Sequence, residues 1–185
     1  MDTPRYLLAQ ACNNAWSNHR LLVACDGLTP EEFADASRTS FFPSIQATLN
    51  HNLIVDWYYV DALEEGEVGL AAFASEVPCP RLADLAREQR SVDQRLIRFC
   101  KELRPEDLER EVRMQRRDHV QVDSVMRTLL HLFQHQIHHR GQAHAMLSGT
   151  SVKPPQLDEF FMAGEAHLRA DELAALGLSE AEIWG

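Results

Sequence analysis

The stretch LNHNLIVDWYYVDAL, residues 49–63, is apolar around nearly its whole circumference when wound as a helix. A helix of that kind belongs inside a bundle, because a surface helix keeps one polar face for water. The pattern predicts a helix from near Pro43-Ser44 to about Glu65, stopped by Gly66. Its only imidazole, His51, stands among Leu49, Leu53, Ile54 and Val55. A histidine in such surroundings needs a partner, since a buried polar ring without one is costly.

Outward from this segment the apolar period stays near 3.6 residues. Thr3-Pro4 supplies an N-cap and a first-turn proline for a helix to about Asp26, closed by Gly27. Leu28 to Phe33 reads as a short capped helical turn, and SRTSFFP as a loop. Residues 66–80 read as a connection closed by Pro78 and Pro80. A third long helix runs from about Arg81 to Leu103, and Pro105 breaks it. Residues 110–121 admit either an extended excursion or a short hairpin. Asp123 or Ser124 then caps a fourth long helix that reaches about Ser148. The paired prolines of SVKPPQLDEFF favour an extended path. A shorter helix over about Ala163 to Ala175 and a frayed tail complete the chain. The expected fold class is all-α. One domain spans residues 1–185, with a four-helix bundle over about 1–150 and an extended segment and short helical tail over about 151–185.

The length of 185 residues suits one domain with a sizeable core. A net charge of −10 opposes a nucleic-acid partner, which would need a basic stripe. The local cluster Arg113, Arg116 and Arg117, beside Asp118, reads as a solvated loop. No apolar run approaches the ~18–20 residues of a membrane span, so no membrane partner is expected. The start, MDTPRYLLAQ, lacks the charged and apolar regions of a signal peptide, and a cytoplasmic location is expected. Cys12, Cys25, Cys79 and Cys100 form no CxxC pair and read as reduced, buried thiols.

The segment HLFQHQIHHRGQAH, residues 131–144, holds five of the nine histidines. On a helical wheel with His131 at zero, Leu132, Val125, Leu129, Phe133, Met126, Ile137 and Leu130 fall between about 100° and 260°. His135 lies near about 40° and His139 near about 80°, at the edge of that arc. Residues four apart share a face, so these two imidazoles can converge on one cation. His131 and His138 face solvent or a helix flank, as polar surface or as support for a ligand ring. His144 reads as a semi-buried, hydrogen-bonded histidine. Alone, HxxxH is a weak signal. The zinc-protease pattern HExxH is absent, because Gln136 follows His135. A third ligand must come from elsewhere. His51 is the strongest candidate; His19, His119 and His167 sit in more polar or less ordered contexts.

At this point the residues resemble a known family. LNHNLIVDWYYVDAL, followed much later by HLFQHQIHHRGQ, is similar to the DinB/YfiT-like proteins over about residues 5–160, with the His51 and Asp56 pair also fitting. The resemblance implies a four-helix bundle in which His51, His135 and His139 hold a divalent metal. It further implies chemistry on a low-molecular-weight thiol, as in relatives that act as thiol S-transferases or thiol-dependent isomerases. It also implies a homodimer, for which Phe41-Phe42 or Phe160-Phe161 would supply exposed aromatic surface.

Three neutral imidazoles leave a coordination position open, unlike a structural zinc site closed by four protein ligands. Zinc is the expected metal, with nickel and iron(II) also suited to imidazole. The expected reaction is addition or transfer of a small thiol to a small electrophile. Two other readings remain: a metal-dependent hydrolase using water, and a non-catalytic, stress-related metal-binding bundle. Arg140 is a candidate for pairing a substrate carboxylate, or equally for a structural salt bridge. Tyr58 is a candidate donor near the metal, and Asp56 a candidate anchor for a neighbouring helix.

Overall fold

The computed structural model describes residues 1–185. Four long helices form the bundle: α1 (Thr3–Cys25), α3 (Ile45–Leu63), α4 (Leu82–Glu102) and α5 (Val125–Leu147), with the short α2 (Pro30–Ala34) between the first two. Local capping chemistry sets where each begins. Asp2, rather than Thr3, caps α1 by accepting from the Arg5 N–H at 3.0 Å, and Thr3-Pro4 fill the first helical positions. Ser44 and Ser124 do the same for α3 and α5, and Thr29 with Glu32 makes a reciprocal capping box on α2. At the end of α3 the chain turns through Glu65 at φ 61°. A Cβ on Gly66 would collide with the Asp61 carboxylate, which accepts from the Val68 N–H at 2.8 Å.

α1 packs chiefly on α4 and α3 on α5, with α3 also against α4. The shared core runs through Leu7, Trp16, Leu21, Leu53, Leu63, Leu85, Leu96 and Leu132. Burying side chains of this size contributes about 1.5–3 kcal/mol each. The bundle is therefore held first by apolar area, and α3 is buried along most of its length, as its composition requires.

Three parts of the chain go beyond the sequence reading or depart from it. Residues 110–121, read as either an extended excursion or a short hairpin, form the hairpin, so the fold is helical but not wholly so: β1 (Glu111–Gln115) pairs antiparallel with β2 (Val120–Ser124). Val112 and Met114 enter the core while Glu111, Arg113 and Gln115 face outward, the two-residue period of a half-buried strand. Five residues are too few for that period to decide between the two readings from sequence alone. Within residues 66–80, expected as a plain connection, Gly69–Phe73 winds into a 3₁₀ turn. The tail is not frayed. After a 3₁₀ turn at Ala163–Glu165, α6 (Ala166–Leu176) and α7 (Glu180–Trp184) fold back on the bundle, and Ile183 is fully buried. Phe160, expected as exposed surface, is also fully buried, 5.7 Å from the Trp16 ring and 6.1 Å from Trp184. The buried Arg169 guanidinium clasps Glu180 at 2.8 and 3.0 Å and donates to the Glu159 and Met162 carbonyls. Phe41 remains exposed. No helix is long and apolar enough to cross a membrane.

Candidate metal centre

α3 and α5 run antiparallel in contact, and this register decides the site. It sets His51 of α3 against His135 and His139 of α5, which present their rings four residues apart from one face. One ligand nitrogen from each ring lies within 4.8 Å of the other two. The Nε2 atoms of His51 and His135 approach to 3.1 Å. Two nitrogens about 2.0–2.1 Å from a tetrahedral cation stand about 3.3 Å apart, so this geometry is near that of a shared ion. No carboxylate or thiol joins the cluster.

Electrostatics keeps the rings in the form a metal needs. Burial, then the neighbouring His139, pushes the His51 imidazole down to about 4. Burial and the surrounding histidines push His135 down to about 3, and burial lowers His139. All three rings are neutral near pH 7 and offer a lone pair.

The surroundings orient these rings. His139 Nδ1–H donates to Gln142 Oε1 at 2.7 Å, which leaves Nε2 as the free nitrogen. Gln142 Nε2 in turn donates to His138 Nε2 at 3.2 Å. His138 therefore supports a ligand ring through Gln142, while His131 lies 5.2 Å from the Tyr59 ring. Phe42 stacks on His51 at 4.4 Å and 29° and meets His139 edge-on at 5.5 Å, walling the cluster from the α2–α3 loop. His144 Nε2–H donates to the Pro155 carbonyl at 2.8 Å, a hydrogen-bonded semi-buried histidine as its wheel position suggested. His19 and His119 lie apart from the cluster, as does His167.

The buried side-chain atoms without a partner are confined to three residues at this point: both amide atoms of Asn52, Oε1 of Gln136 and Nδ1 of His135. An unmet buried polar atom costs about 1–3 kcal/mol. One of these atoms belongs to the His135 ring itself, and Asn52 and Gln136 are the chain neighbours of His51 and His135. The donor set, the spacing and these unmet atoms together fit a divalent cation held by His51, His135 and His139.

Behind the cluster lies a buried polar network that draws on all four long helices. Asp56 accepts from Gln89 of α4 at 2.7 Å and from Gln136 of α5 at 2.8 Å, so it anchors two neighbouring helices. Asp93 accepts from Asn14 at 3.2 Å and Asn18 at 3.0 Å, both on α1. Arg140 Nη1 donates to the Oδ1 atoms of those same asparagines at 2.5 and 2.8 Å. Burial, the largest cause, raises both carboxyls, Asp93 to about 7, and lowers Arg140 to about 10. Arg140 is only 4% exposed, so its guanidinium serves the core. Tyr58, 1% exposed, donates its hydroxyl to the Gln115 carbonyl at 2.6 Å and ties α3 to the hairpin, away from the histidines.

Sequence reasoning missed Gln142, Phe42, Asn52 and the network. Gln142 carried a local signal, lying three residues from His139 and four from His138 on one helix face. Gln136, near about 140° on the wheel and thus inside the apolar arc, carried another. Phe42 carried none, because a loop has no periodicity to read.

No curated relative matches the chain. Residues 1–172 match the DinB family, further toward the C-terminus than the motifs alone reached. With a four-helix bundle, three histidines converging from its second and fourth long helices, and a family match across nearly its whole length, the chain belongs to the DinB family.

Proposed function

We propose that this protein is a divalent-metal-dependent enzyme that adds or transfers a small thiol to a small electrophile. The observation that carries the reading is the three-imidazole cluster with no fourth protein ligand within it. When bound, a divalent cation, zinc first, would act as a Lewis acid that lowers the pKa of a coordinated thiol. The chain's own residues do the rest. His51, His135 and His139 present lone pairs, Gln142 fixes the His139 tautomer, and Phe42 shields one side from water.

The chain does not supply the nucleophile itself. Cys12, Cys25, Cys79 and Cys100 are all buried. Burial pushes Cys12 and Cys25 up to about 12 and raises the other two as well. The thiol must therefore arrive as a separate small molecule. A purely structural metal is disfavoured, because an extensive apolar core and a four-helix polar network already hold the bundle. Hydrolysis, with water in place of the thiol, uses the same residues and is the reading to test against.

The test pairs elemental analysis of untagged protein with a thiol-transfer assay using a panel of small thiols and an aryl halide. One metal per chain and metal-dependent conjugation are expected, both lost in His51→Ala. A His51→Ala protein as active as wild type in added metal would end the reading. Turnover of an activated ester with no thiol present would assign hydrolysis instead.

A further inference from the structure

One turn of α5 before His135, a cavity of about 330 Å³ opens between the hairpin and the α3–α5 face. Its lining includes Tyr59, Arg116, Gln121, Asp123, Arg127 and His131. Arg116 was expected to be a solvated loop arginine, yet it lies half-buried in the cavity wall. Its Nε donates to Gln121 Oε1 at 3.0 Å and its Nη2 to the Tyr59 hydroxyl oxygen at 3.1 Å. The guanidinium carbon sits 5.3 Å from the Tyr58 ring centroid and 5.8 Å from that of Tyr59. The group is therefore clamped in one orientation before any ligand arrives.

No carboxylate lies within salt-bridge distance of its guanidinium, and Asp123 acts on it only from further off. Asp123, the one carboxylate of the cavity, accepts from Gln121 Nε2 at 2.6 Å and pairs with Arg127 at 3.3 Å. Arg116 Nη1 and the Tyr59 hydroxyl proton make no bond to the protein, and His131 adds a ring nitrogen. Several unspent donors thus converge on a space with a surplus of positive charge. An apolar ligand would strand those donors, whereas an anionic oxygen pair would satisfy them. A planar carboxylate matches the guanidinium fork and a cavity at the small end of the ligand-binding range.

We propose that this cavity is a carboxylate subsite, which holds the acidic end of the small molecule whose other end reacts at the histidine cluster. His131, in the cavity wall, has its ring 6.2 Å from that of His135, so the cavity lies one helical turn from the histidine cluster. Of the two roles read for Arg140, carboxylate pairing falls instead to Arg116, because Arg140 is spent inside the core. The link to catalysis rests on the proposed metal-dependent function; the subsite itself rests only on the cavity.

Calorimetric titration of the full chain tests it, with and without zinc, using succinate, its neutral analogue succinamide, and inorganic phosphate. Succinate is expected to bind in both states and more tightly than the other two. Arg116→Gln should weaken succinate ten- to a hundredfold, and Tyr59→Phe, which keeps the ring, about threefold. Arg113→Gln, on the outward face of the hairpin, should change nothing. In His135→Ala, zinc binding should be lost while succinate binding persists. Loss of both there would place the carboxylate on the metal and overturn the subsite. So would succinamide equal to succinate, phosphate tighter than succinate, or an Arg116→Gln protein that titrates like wild type. Failure of the metal reading appears only in the zinc titrations, so the two cannot be confused.

Discussion

Arg140→Met separates a structural arginine from a substrate-facing one. Methionine keeps the apolar stem and removes the guanidinium. In the native protein that group donates to Asn14 and Asn18 and is the buried cation nearest Asp93 and Asp56. Removing one partner of a buried charged network leaves the other charge without compensation, unless that group can neutralise by taking up a proton. The cost must depend on pH. Asp93 titrates at about 7 in the folded chain against 3.8 ordinarily. A carboxyl with a raised folded-state pKa holds a proton that the unfolded chain releases. Its contribution to stability is complete below 3.8 and is lost as pH rises through about 7. At pH 5 that carboxyl is protonated with or without Arg140, so the substitution should cost only roughly 1–2 kcal/mol, mainly unmet asparagine oxygens. At pH 8 the wild-type carboxyl is mostly ionised, whereas the variant can re-protonate it, which caps the added cost at about 1.4 kcal/mol for one pH unit above 7. The loss should therefore reach about 2–3.5 kcal/mol. Urea unfolding of wild type and variant at the two pH values reads the difference directly, and contributions from the histidines cancel in the comparison. Equal losses at both values, or under about 1 kcal/mol at pH 8, would refute the argument. Unchanged stability with lost turnover would return Arg140 to the substrate.

Gln142→Leu removes the acceptor of His139 Nδ1–H, and metal affinity should fall about ten- to a hundredfold by competition with a chromophoric chelator, with little change in fold by circular dichroism. Asn52→Leu replaces an amide whose buried atoms lack partners; chemical unfolding of the metal-free protein should show it as stable as wild type or about 1 kcal/mol more so. Tyr58→Phe deletes the hydroxyl that holds Gln115, and should cost about 1 kcal/mol of stability while leaving metal content by elemental analysis unchanged. Phe160→Ala, in the tail once expected to present surface, should cost about 3–5 kcal/mol on thermal or chemical unfolding.

Much of this protein was legible from local chemistry. The 3.6-residue period, the prolines and the capping serines depend on neighbours within a few positions, so the four rods and their approximate ends could be read directly. The same locality delivered two of the three histidines of the candidate metal centre: His135 and His139 share a face whatever the tertiary fold. His51 entered as an unusual residue in an apolar helix, and its motif strengthened it. What the sequence could not contain was the register of α3 against α5, which brings His51 Nε2 to within 3.1 Å of His135 Nε2. Nor could it show that Arg140 of α5 would meet asparagines of α1, that a loop arginine at 116 would be clamped against two tyrosines, or that the C-terminal turns would bury Ile183. Periodicity reports which face of an element is apolar. Which atoms meet across two faces is settled only when helices pack, because side chains from distant parts of the chain then compete for the same space and the same hydrogen bonds.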